Sequence, residues 1–195
     1  EITNEEYAEF LNAVAATDLY ILYDTDMGTD ARGGISRSGN SGSYTYTVRS
    51  NMGNKPVNFV NYYNALRFCN WLHNGKPTGP QLAETTEDGA YTFTGQSSVG
   101  ERNPEARFFL PAENEWYKAA FHDPEDALAD ANNTPDYWLY STQSDSTPTQ
   151  ATADASGNVS NPGANVANYS QGADWNGQNG HLVSVGTSGG SSESQ

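Results

Sequence analysis

Cys69 is the one thiol in this chain of 195 residues, so nucleophilic or soft-metal chemistry has a single place to start. A thiolate can attack a carbon or sulfur centre, or bind Cu(I). Cys69, however, shares an apolar stripe with Phe68 and Leu72 at helical spacing, where a free cysteine serves as a small hydrophobe. Hard-cation chemistry has better material in Ala167-Asn168-Tyr169 and Asn179-Gly180-His181. Calcium takes six to eight oxygens, mixing amide, carboxylate and main-chain donors in glycine-bearing loops. Asn168 and Asn179 offer amide oxygens, Tyr169 and His181 offer main-chain carbonyls, and Asp174 lies close enough in sequence to add a carboxylate. The competing reading is that Asn-Gly pairs are simply turns.

The remaining candidates point away from chemistry. His73, His122 and His181 show neither i,i+4 nor H-E-x-x-H spacing, so zinc or haem ligation is not indicated. Glu113 and Glu115 diverge on a helix, being two residues apart, and suit a helix N-terminus better than an acid pair. Arg32-Gly33-Gly34 and Ser97-Ser98 lack the following helix and Lys-Ser/Thr of a phosphate loop.

Three helices are needed to position these residues. Thr3-Asn-Glu-Glu6 fits a capping box, and Tyr7, Phe10, Leu11 and Val14 make the buried stripe of a first helix ending near Ala16. A short strand over 57–60 leads to Asn61, which can cap a second helix with Ala65, Phe68, Cys69 and Leu72 on one face. A second short strand over 107–110 stops at Pro111 and turns into a third helix headed by Glu113 and Glu115. Trp116, Ala119 and Ala120 recur at helical spacing there, and Ala112 stands where a capping side chain would save about 1 kcal/mol. The two strand-into-helix corners are expected to enclose one aromatic core, with Phe68, Leu110 and Trp116 in it. Alternation predicts half-buried strands over 43–49 and 90–94, and further strands over 137–141 and through Leu182, Val183 and Val185. Residues 17–42, 74–88 and 144–163 read as long loops, and 125–136 as a mobile acidic insert.

Composition bounds the rest. The length suits one domain, able to bury about 70% of its unfolded surface. With 12 Tyr and 4 Trp, its core leans on aromatic rings. Twenty-four acids against 9 bases give a net charge of −15, which excludes a phosphate-backbone binder and suits cation attraction or an extracytoplasmic setting. No apolar run approaches the ~20 residues of a membrane span. A lone cysteine allows no internal disulfide. The chain opens within a helix pattern and closes on Gly-Ser-rich sequence, so 1–195 is expected to be a domain segment truncated at both ends.

Together, "EITNEEYAEFL", "PVNFVNYYNALRFCNWL" and "RFFLPAENEWYKAA" resemble the formylglycine-generating-enzyme family, also called the sulfatase-modifying-factor domain. The ordered set is specific; any one block alone would be weak. The resemblance implies an α+β fold of C-type-lectin-like type, loop-rich, with three main helices and short strands, here an incomplete domain. In catalytic members a pair of cysteines late in the domain holds copper, and the enzyme oxidises a substrate cysteine to formylglycine. Cys69 matches a structural position instead, and the copper pair is absent from this chain, which should not make formylglycine as it stands. The resemblance also implies a calcium site at Asn168, Tyr169, Asn179 and His181, with Asn179 standing where the family has Asp. The parent protein is then a formylglycine-generating or related non-haem metal oxidase, with copper bound by a cysteine pair beyond Gln195. The alternatives are an exported bacterial binding module that displays its loops toward a protein, peptide or glycan, and a structural domain without a dedicated ligand.

Overall fold

The computed structural model describes residues 1–124 and 137–189; the expected acidic insert over 125–136 and the side chain of Asn179 lie outside the described residues. The fold is α+β and packs as two compact units, Ile2–Leu110 and a second that begins at Pro111.

In the first unit, α1 (Asn4–Val14) opens with the expected capping box, in which the Thr3 backbone N–H and the Glu6 carboxylate meet at 2.8 Å. Tyr7, Phe10, Leu11 and Val14 are all buried, as the stripe requires. A short α2 (Asp26–Thr29) follows, then β1 (Ile35–Ser38), which pairs antiparallel with β2 (Thr45–Val48). Tyr46 of β2 is buried and Thr45 and Thr47 are exposed, so the alternation holds. Asn12 joins helix to hairpin by donating to the Tyr46 carbonyl (2.8 Å) and accepting from the Tyr46 N–H (3.0 Å).

The long α3 (Tyr62–His73) is capped by Asn61, whose side chain accepts from the Asn64 N–H at 2.9 Å. Phe68 and Trp71 meet Tyr7 and Phe10 of α1 in one cluster, with Phe10 and Phe68 edge to face at 5.2 Å. Leu66 and Cys69 face a second cluster with Ala90 and Tyr91. Helix α3 is buried on more faces than its apolar stripe predicts, because the polar residues Asn64, Arg67 and Asn70 are hydrogen-bonded inside. Arg67 forms a two-pronged pair with Glu87 at 2.7 and 2.9 Å, and its guanidinium lies over the rings of Tyr20 and Phe93. Asn70 donates to the carbonyls of Thr86 and Tyr91 and accepts from the Tyr91 N–H, each at 2.8 Å. Glu87 closes a π-helical turn, Ala83–Glu87, which leads to β3 (Tyr91–Gly95) and its antiparallel partner β4 (Ser98–Arg102).

Two expected strands do not form. Over 57–60 no strand forms: the one bridge nearby, Thr3 with Pro56, lies just before it, and Phe59 adopts φ 63, which ends any extended run. Over 107–110 the backbone has no strand partner; Arg107 instead donates to the His73 carbonyl at 2.7 Å, and Leu110 packs beside Tyr91.

In the second unit, α4 (Glu113–Phe121) begins where the proline predicts, and the Ala112 N–H donates to Glu115 at 2.7 Å in place of a side-chain cap. No residue of α4 is buried, and Trp116 is 53% exposed, so Trp116 is not the core residue its spacing predicts. Rings of Tyr117, Phe121 and Tyr137 brace this helix at 5.0 Å spacings. The strand expected over 137–141 reduces to bridges at Tyr137 and Tyr140, and the one through Leu182–Val185 does not form. The core here is small: Ala151, Val159 and Val166, with Val183 against them. Around it run β5 (Thr149–Gln150), parallel to β6 (Val166–Ala167), and a hairpin of β7 (Asp174–Trp175) with β8 (Gln178–Asn179). Asn176 and Gly177 turn that hairpin at φ 53 and 70, the left-handed pair that Asn-Gly adopts at little cost.

Candidate functional site

The β7–β8 hairpin carries two of the five residues expected to hold calcium, Asp174 and Asn179. Asp174 and Asn179 are opposed strand partners, and the Asp174 side chain is exposed. His181 follows, fully buried; its N–H donates to the Ala173 carbonyl at 3.0 Å, and its ring lies 4.3 Å from that of Trp175. Its Nδ1 accepts from the Leu182 N–H at 2.7 Å, which fixes the imidazole as a structural group.

Asn168, just after β6, reaches this hairpin: its amide donates to the His181 carbonyl at 3.0 Å. The two groups expected as neighbouring oxygen donors therefore do meet. In the geometry observed they satisfy one another, and a cation there requires the Asn168 amide to turn its oxygen inward. The Tyr169 carbonyl accepts from the Gln150 amide at 3.0 Å and from the Gly172 N–H at 3.1 Å. Among the described residues, no three His, Cys, Asp or Glu side chains converge as a metal-holding group. Any cation here relies on neutral amide and carbonyl oxygens, with Asp174 as the nearest charge.

Cys69 lies inward, 7% exposed, against Leu66, Ala90 and Tyr91. Burial pushes its thiol up to about 11, so the thiolate needed for attack or for copper is scarce at neutral pH. His73 and His122 are half-buried and engaged in structural contacts: His73 accepts from the Arg107 N–H at 3.2 Å, and the His122 backbone bridges Tyr137. Glu113 and Glu115 head α4, as their spacing predicts.

Sequence reasoning missed a third constellation, inside the segment read as loop. Asp18, with its side chain 2% exposed, accepts from the N–H groups of Leu22 (2.7 Å) and Tyr23 (3.3 Å) and pairs with Arg37 at 3.3 Å. The Arg37 guanidinium lies over two rings, 4.7 Å from the centre of Tyr23 and 4.3 Å from that of Tyr44. Burial raises the Asp18 carboxyl above its ordinary value, offset in part by the two N–H groups, the Gln81 amide and Arg37. The Gln81 Nε2 is itself buried and makes no hydrogen bond of ordinary geometry, while its oxygen accepts from the Tyr20 N–H at 2.8 Å. Asp18, Arg37, Tyr23 and Tyr44 border an open cleft of about 310 Å³, whose lining also includes Ile21 and Asp24. The only sequence signal was an acid beside an apolar run; nothing in the spacing announces that Arg37 returns to it nineteen residues later.

A family model described as the sulfatase-modifying factor enzyme 1-like domain matches residues 1–184. No curated protein and no solved structure matches the chain.

Proposed function

Because this chain belongs to the sulfatase-modifying factor enzyme 1-like domain family, we propose that it uses the family scaffold for binding and carries no oxidase chemistry of its own. The observation behind this reading is Cys69, the sole thiol, buried and with its ionisation pushed up to about 11. The copper site implied by resemblance to formylglycine-generating enzymes needs two accessible thiolates. The residues of this chain do not fit that metal, and no copper step is derived from them. We read the scaffold as lectin-like, with short paired strands and long loops that leave binding groups at the surface, where recognition residues concentrate.

Calcium is the cation that suits the chain's second unit. Asn168, the carbonyls of Tyr169 and His181, Asn179 and Asp174 would hold it, and its chemistry there is structural: it ties the β7–β8 hairpin to the segment after β6. The 3.0 Å approach of the Asn168 amide to the His181 carbonyl supports this, since turning the amide brings two oxygens side by side. An oxidase in a longer parent chain is the second reading, favoured by the family match over 1–184.

The test is direct. The chain is incubated with copper, oxygen and a cysteine-containing sulfatase peptide, and the peptide is weighed by mass spectrometry. The expected result is an unchanged peptide mass, together with a Cys69 that resists alkylation until the protein is unfolded. Conversion of the peptide cysteine to an aldehyde by this chain would overturn the reading.

A further inference from the structure

The cleft lined by Asp18 and Arg37 shares no residue with the proposed calcium site. We propose that this cleft binds a neutral saccharide, held by Arg37 and Asp24 across a pair of ring hydroxyls and by Ile21 against its C–H face. The proposal rests on the binding reading above and names the ligand class for it.

Size sets the first limit. About 310 Å³ sits at the lower end of small-molecule sites and holds a ligand of one or two sugar rings. Charge sets the second. Asp18 and Arg37 neutralise one another, which leaves Asp24 as the one further charged residue lining the cleft. An anionic ligand would face Asp24 and a chain of net charge −15. A cationic ligand would face the Arg37 guanidinium, which already lies over the Tyr23 and Tyr44 rings that an ammonium would seek. Neutral hydroxyls suffer neither penalty.

Pre-organisation is the third argument. Arg37 lines the cleft and is 26% exposed; its guanidinium is held by Asp18, by the Tyr46 side chain and by the Tyr23 and Tyr44 rings. A guanidinium fixed in this way loses little freedom when it donates to a ligand. Asp24 is exposed and uses one carboxylate oxygen to accept from the Asp26 N–H at 2.8 Å, leaving the other for a hydroxyl donor. Ile21 is 61% exposed and held at φ 55, a conformation unusual for a β-branched residue, which presents its apolar side chain at the rim.

The experiment uses the whole chain and six probes: glucose, galactose, mannose and N-acetylglucosamine, with glucuronate and glucosamine as charged controls. Saturation-transfer NMR detects binding and calorimetry ranks it. At least one neutral sugar is expected to bind at millimolar or tighter affinity and ahead of both charged controls. Asp24→Asn should weaken it about tenfold, the loss of one charge-assisted hydrogen bond, with the melting temperature unchanged. Arg37→Lys keeps the charge but not the fork and should weaken it as well. Silence of all four neutral sugars, a preference for a charged control, or indifference to both substitutions overturns the proposal. None of those results bears on the peptide-oxidation test, so the ligand class can fail while the binding reading stands.

Discussion

Asp18 shows how one carboxylate can be both anchored and strained. Its oxygens satisfy two backbone N–H groups and meet Arg37, yet desolvation wins and its ionisation is raised above the ordinary value of 3.8. A native state that holds its proton more tightly than the unfolded chain gains stability from that proton. The contribution is therefore complete below the ordinary carboxylate value and is lost as pH rises through the raised one. Asp18→Asn is uncharged at every pH and supplies the reference. The melting temperature of the parent protein, measured against this variant, is expected to fall as pH rises past the ordinary carboxylate value and then level off. A flat difference over that rise in pH would mean that Arg37 and the N–H groups cancel the cost of burial. Tyr7 and Tyr46 lie close enough to feel the same charge, and burial raises both of them as well, far above the range scanned.

Among the elements, α3 joins most of the first unit, and its polar residues matter as much as its apolar ones. Arg67, 1% exposed, holds the π-helical turn through Glu87, whose side chain is 13% exposed. Removing one partner of such a pair leaves a buried charge uncompensated. Glu87→Ala should therefore cost about 3 kcal/mol in urea unfolding, whereas Arg67→Met, which removes the charge itself, should cost less than Arg67→Ala. A loss below about 1 kcal/mol for Glu87→Ala would show that water reaches the guanidinium. The start of α3 was legible because Asn61 is a good cap and the apolar spacing is regular. Its full burial was not, because Arg67 and Asn70 read as solvent-facing until their partners twenty residues on are known. Likewise β2 and β3 were legible from alternation, but β1 and β4 were not, since Ile35-Ser-Arg-Ser38 and Ser98–Arg102 carry too few apolar residues to alternate. Helix α4 had a clear start and a misleading stripe: Trp116 recurs at core spacing and is exposed.

On the scale of the whole molecule, the net charge of −15 and the sparse core of the second unit make cations the natural source of added stability. Any salt will relieve self-repulsion, so a calcium claim needs a selective effect. Calcium at millimolar concentration is expected to raise the melting temperature above that given by magnesium or by sodium at equal ionic strength. Asn168→Ala should remove only the calcium-specific part, since a native-state ligand must raise apparent stability. Equal shifts for all three cations would mean screening alone. That Asn168 meets the His181 carbonyl was legible, because the spacing of Asn168 and His181 resembles that of a family site. The Asp18–Arg37 cleft was not legible, because its two charges sit on either side of α2 and only the folded backbone brings them together.

The side chain of Asn4 has a practical corollary for anyone handling this protein. Fully enclosed at the first turn of α1, its amide reaches the carbonyls of Met52, Lys55 and Pro56 at 2.9, 3.0 and 3.4 Å, stitching the start of the chain to a loop some fifty residues away. An affinity handle fused ahead of the exposed Glu1 should be harmless, whereas an expression clone begun at Glu5 would strand three interior acceptors and would be expected to yield insoluble material.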